Sequence, residues 1–87
     1  MENLDDHGVF ETSVRVVLKS KELEIFTTRQ AAELLLYSWP TGETGYLSQA
    51  RMACMRVLGG NEKAETARKA FEDAAAEADI LVEEQAI

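Results

Sequence analysis

A single cysteine, Cys54, leaves no partner for an intrachain disulfide and too few thiolates for a structural zinc site. Histidine is equally scarce. His7 stands alone, with no second imidazole for a metal cluster and no recognisable partner for general-base work. Long apolar runs are missing too. Leu34-Leu35-Leu36-Tyr37 is among the longest, far below the roughly 20 residues of a membrane span. Met1-Glu2-Asn3-Leu4-Asp5-Asp6 has neither a basic start nor an apolar stretch, so it does not read as a signal peptide, and the default expectation is a cytoplasmic protein without membrane attachment. There is no internal repeat, no low-complexity linker and no phosphate-cradling glycine motif.

What is present has the balance of a globular domain: 87 residues, 46% hydrophobic and 29% charged. A chain this short buries about 60–65% of its unfolded surface, so the expected stability is a few kcal/mol. Dimerisation is a common way for so small a core to gain buried area. The net charge of −7 is unevenly spread. Residues 1–11 carry four acidic side chains and no basic one, whereas residues 12–60 set six Lys/Arg against four Glu. Residues 61–87 return to acidity, with eight acidic against three basic. Acidity repels a phosphate backbone, which disfavours nucleic acid as a partner, although the middle of the chain is mildly basic.

The periodicity predicts an α+β fold. Residues 1–11 read as a flexible acidic segment, residues 12–82 as a single domain and residues 83–87 as a frayed tail. From Thr12, Val14, Val16 and Leu18 alternate with Arg15 and Val17. After Lys19-Ser20-Lys21, Leu23 and Ile25 alternate with Glu22, Glu24 and Phe26. This is an antiparallel β-hairpin with one buried face, whose turn lacks Gly or Asn. Thr27 and Gln30 form a capping-box pair, opening a helix with the stripe Ala32, Leu35, Leu36 and Trp39, which Pro40 ends. A second helix is predicted over residues 46–58, with Tyr46, Ala50, Ala53, Cys54 and Val57 inward and Gly59-Gly60 as its left-handed stop. Asn61 is a candidate N-cap for a third helix over residues 62–79, with Ala64, Ala67, Phe71, Ala74, Ala75 and Ala78 on its contact face. Residues 80–82 either extend that helix or form a short third strand packed with the hairpin against the three helices.

The order of these features matches a known family. It includes Ala31-Ala32-Glu33-Leu34-Leu35 running into Trp39-Pro40, then Tyr46, Ala50 and Cys54, then Leu58-Gly59-Gly60. Ala67-Arg68-Lys69-Ala70-Phe71 follows, leading to Ala74-Ala75 and Ala78. Over residues 12–82 the chain resembles the domain of unknown function 982 family, small proteins of rhizobia and related alphaproteobacteria. The resemblance implies this size and a cytoplasmic setting. It implies no established activity, and no catalytic residue is carried over from it.

No cofactor, metal ligand set or small-molecule site stands out. Cys54 sits in mid-helix on the apolar stripe and reads as a buried structural thiol rather than a nucleophile. Asp5, Asp6 and His7 form a sparse cluster in the acidic leader, and Gly59-Gly60 reads as a helix–helix turn rather than an anion cradle. Tyr37, Trp39 and Tyr46 flank the loop after the first helix. They are either core and loop-closing residues or an aromatic rim for a partner. Leu47, Met52 and Met55 fall off the main stripe of the second helix, so they cover a second buried side or form an apolar contact surface. These six residues are the candidate interaction surface. Arg15, Lys19, Lys21, Arg29, Arg51 and Arg56 are the alternative, a basic surface for nucleic acid if they converge, with the first two helices as a long-looped variant of a helix-turn-helix. The reading is a non-catalytic protein-interaction or accessory domain, with a second copy of itself among the candidate partners. A nucleic-acid-binding regulator is the alternative, and an enzyme is not expected.

Overall fold

The computed structural model describes residues 8–82. Strands β1 (Val9–Leu18) and β2 (Lys21–Thr27) form an antiparallel hairpin, followed by helices α1 (Thr28–Tyr37), α2 (Gly45–Leu58) and α3 (Ala64–Glu77). The α+β expectation holds. Val14 pairs with Ile25 and Val16 with Leu23, so the β-branched residues point to the core while Arg15, Glu22 and Glu24 face outward. Lys19 and Ser20 form the two-residue turn with φ of 51° and 67°. Positive φ at both central residues is the signature of a type I′ turn, normally supplied by Asn-Gly.

The strand begins at Val9, not Thr12. Residues 9–11, read as part of a flexible segment, are therefore ordered strand; residues 1–7 and the predicted frayed tail lie outside the described residues. Alternation fails there because the register jumps. Val9 pairs with Thr27 and Val14 with Ile25, leaving four residues of β1 against one of β2. That bulge lets Phe10 enter the core at 6% exposure. Gly8, at φ +91°, leads into the strand. Its carbonyl accepts both the backbone N–H of Thr28 and the Thr28 hydroxyl, each at 2.7 Å.

The capping box opens α1 as the sequence predicts: Gln30 N–H donates to Thr27 Oγ1, and Gln30 Oε1 accepts the Thr27 N–H. Its inward face is rotated from the predicted stripe. Thr28, Ala31 and Leu35 are buried, Leu34 is half-buried and Leu36 is 50% exposed. The helix ends at Tyr37, and Trp39 packs from the following turn against Phe71, with ring centroids 5.6 Å apart. Thr44 caps α2 through the Leu47 N–H. In α2, Leu47 takes the inward place predicted for Tyr46.

Gly60, at φ +85°, ends α2. The Gly60 and Asn61 N–H groups return to the Val57 and Arg56 carbonyls, which is a Schellman motif. Helix α3 starts at Ala64 after Lys63, which makes no side-chain cap, so Asn61 is not the N-cap. Asp79, at φ 63°, closes it with a second Schellman motif. The chain then turns onto the free edge of β1. Val17 N–H donates to Ile80 O and Val82 N–H to Arg15 O, with a bridge between Val16 and Leu81. Of the two readings for residues 80–82, this is the strand-like one. Ala67, Ala74 and Ala75 let α3 approach closely, and Phe71 is the large anchor of the shared core.

Candidate interaction surface

The packing of α1 against α2 follows from one arginine. Arg51 donates from Nε and Nη2 to the Leu35 carbonyl at 3.2 and 3.0 Å, and from Nη1 to the Glu43 carboxylate at 2.9 and 3.2 Å. A guanidinium at the C-terminal carbonyls of a helix satisfies an orphan acceptor and opposes the negative end of the helix dipole. Arg51 is thus a structural staple, not part of a free basic surface. At the other end of the pair, Thr28 and Val57 both approach Gly8. The start of α1 therefore meets the end of α2, and the helices run antiparallel.

That arrangement fixes which side chains share the outward face. Met55 lies one turn beyond Arg51 on the α1 flank of α2, and Met52 lies just outside it. On α1, Leu36 occupies the outward flank toward α2. Leu36 and Met52 are each 50% exposed and Met55 is 66% exposed. Arg29 in the first turn of α1 and Arg56 in the last turn of α2 border the same face at the Gly8 end.

The predicted six-residue surface is therefore divided. Met52 and Met55 are exposed together, whereas Leu47 is a core residue at 1% exposure, a correction to the surface set. Trp39 is mostly covered by the core, and its indole N–H is buried without an acceptor among the described residues. Tyr37, in the last turn of α1, is the most exposed large apolar side chain among the described residues, at 80%. Tyr46 faces α3 across an open groove of about 440 Å³ that Gln49, Thr66 and Lys69 also line. Leu36 belongs to the surface and was missed. Adjacent stripes on a ten-residue helix have nearly equal apolar content, and only the burial of a threonine, Thr28, distinguishes them.

The six basic residues do not converge. Arg15 pairs with Glu22 at 3.7 Å on the outer face of the hairpin. Lys19 and Lys21 sit at its tip, Arg51 lies in the helix seam, and Arg29 and Arg56 lie at the opposite end from the tip. On α3 the charges are internally matched: Arg68 bridges Glu65 and Glu72, and Lys69 pairs with Asp73. The Arg68 hydrogen bond holds the Glu65 carboxyl below the usual range, and the Asp73 hydrogen bond raises the Lys69 ammonium. Cys54 is buried, and desolvation pushes its thiol up to about 11. Among the described residues, no group of three or more His, Cys, Asp or Glu is placed to hold a metal ion, and no helix is long and apolar enough to cross a membrane. Asp5, Asp6 and His7 lie outside the described residues.

Residues 12–82 match the family described as "Protein of unknown function (DUF982)". The NMR structure of the Agrobacterium tumefaciens protein Atu1219, a structural-genomics target, is similar at a TM-score of 0.79 and 27% identity. The match covers 100% of this chain and 91% of that one. No curated protein matches the sequence.

Proposed function

The chain belongs to the DUF982 family of proteins of unknown function, and from that premise we propose that it is a non-catalytic protein-interaction or accessory domain acting through the outward face of α1 and α2. One observation carries the proposal: Leu36, Met52 and Met55 are half or more exposed on a single face of two helices stapled together by Arg51. Three apolar side chains on a fixed surface cost solvation and return nothing to this core. A partner that covers them supplies the missing burial. Methionine suits such a contact because its unbranched, polarisable side chain adapts to the opposing shape. The non-catalytic part of the reading draws on Cys54, a buried thiol that desolvation keeps protonated at neutral pH.

Site-specific photo-crosslinking in cells expressing the chain tests this. A crosslinker at position 55 is expected to trap a discrete protein species, while one at position 17, on the outer face of the hairpin, traps little. No species at position 55, or the same species from both positions, would overturn the reading.

A further inference from the structure

We propose that Met52 and Met55 are a reversible oxidation site: hydrogen peroxide converts both thioethers to sulfoxides on the folded chain, which disables the outward face of α1 and α2 as a contact. This rests on the interaction-domain reading above and gives that face a regulation. The chain has three methionines, and Met1 lies outside the described residues. The other two stand three residues apart on α2, 50% and 66% exposed, so they are neighbours on the outward side of the helix. Methionine is a common gap-filler of cores, yet the core cluster of the described residues contains none. Both described thioethers are therefore displayed on one face, while the one thiol, Cys54, is fully buried.

The step is an oxygen-atom transfer. A sulfur lone pair attacks one peroxide oxygen, and the O–O bond breaks as the S–O bond forms. Sulfur is oxidised by two electrons, and the second oxygen takes the proton of the transferred one and leaves as water. Exposure decides which sulfur reacts. The Cys54 thiol, pushed up to about 11 by burial, stays out of the reactive thiolate form at neutral pH. The fold is insulated from the change, because neither methionine belongs to the core and Arg51 holds the α1–α2 seam through the Leu35 carbonyl and Glu43. The face is not insulated. Each sulfoxide sets a polar acceptor on the apolar surface shared with Leu36, and a partner that buries it without a hydrogen bond has to strip its water. Reductases specific for the two sulfoxide epimers reverse the step, which makes it a switch.

Peroxide titration of the purified chain, read by peptide mass mapping, tests the proposal. Met52 and Met55 are each expected to gain one oxygen at rates within about tenfold of those in the urea-unfolded chain, with an unchanged far-ultraviolet circular dichroism spectrum. Cys54 is expected to react at least about tenfold more slowly than when unfolded. Retention on a phenyl column should fall on oxidation and recover after reductase treatment; Met52→Leu/Met55→Leu, which keeps Met1, should show no such fall. A photo-crosslinker at position 36 is expected to trap a species from lysate that oxidation of the chain diminishes about tenfold and repair restores. Slower oxidation of Met52 and Met55 than this, unfolding on oxidation, unchanged retention or a fall in the double variant as well overturns the switch. If the oxidised chain traps the species as well as the untreated chain does, the switch fails and the interaction-domain reading survives; if the untreated chain traps nothing from position 36, both fall.

Discussion

Replacing Gly8 with alanine should cost about 2–3 kcal/mol of folding stability, a large share of what an 87-residue domain has available. Two costs combine. Gly8 holds φ at +91°, where a Cβ-bearing residue is disfavoured by about 1–2 kcal/mol. A Cβ built there would also lie 3.1 Å from Thr28 Oγ1 and 3.2 Å from Thr28 Cβ. Thr28 is fully buried, so it can yield only by loosening the hydroxyl bond to the Gly8 carbonyl, a loss of about 1 kcal/mol. Urea unfolding followed by far-ultraviolet circular dichroism measures the sum. With a slope of about 1 kcal/mol/M the midpoint should fall by about 2–3 M, and the thermal midpoint by roughly 10–20 °C. Thr28→Val serves as a control, because it removes the hydroxyl without the backbone strain and should cost only about 1 kcal/mol. A Gly8→Ala loss below about 0.5 kcal/mol would refute the claim that the domain is tied down at Gly8 rather than at Thr12.

The hairpin tip should move the other way: Ser20→Gly relieves a positive φ of 67° and is expected to stabilise by about 1 kcal/mol in the same urea assay. Arg51→Lys keeps the charge but loses the fork that spans Leu35 O and Glu43. It should cost about 1 kcal/mol, and Arg51→Met somewhat more, both kept modest by partial solvent exposure and read as a lower midpoint. Cys54 should resist a small thiol reagent at neutral pH in the native state and react on unfolding, with the release of a chromophore as the readout. Its raised value also sets a pH dependence. The folded thiol stays neutral up to about 11 while the unfolded thiol ionises near 9.0, so its contribution is fully present below pH 9 and is lost as pH rises toward 11. The fall should be on the order of 2 kcal/mol and absent in Cys54→Ala, as measured by unfolding at stepped alkaline pH.

Local rules were readable where one residue type has one mechanical use. Thr27 and Gln30 announce the start of α1, Gly59-Gly60 the end of α2, and the valine alternation the buried face of the hairpin. Reading failed where tertiary packing overrides periodicity. The bulge between Val9 and Val14 breaks the period of two, so Phe10 gave no sign of being a core residue. Thr28 is polar by type and fully buried in fact, because the Gly8 carbonyl twenty residues away satisfies it. That unseen bond rotates α1 and exchanges the roles of Leu34 and Leu36. In α2 the same ambiguity swapped Tyr46 and Leu47, since either neighbour completes a stripe through Ala50, Ala53, Cys54 and Val57. The surface was therefore half legible: Met52 and Met55 stand out as off-stripe apolar residues, but their partner Leu36 does not. The role of Arg51 was invisible because its acceptors, Leu35 O and Glu43, lie 16 and 8 residues away.

The claim that the outward face of α1 and α2 is the working surface is tested most directly by placing photo-crosslinkers in turn at positions 36, 52 and 55 on that face and at positions 17 and 26 on the outer face of the hairpin. The account predicts one shared crosslinked species from the first three positions and little from the other two. Crosslinks confined to the hairpin positions, or none from the helix face, would contradict it.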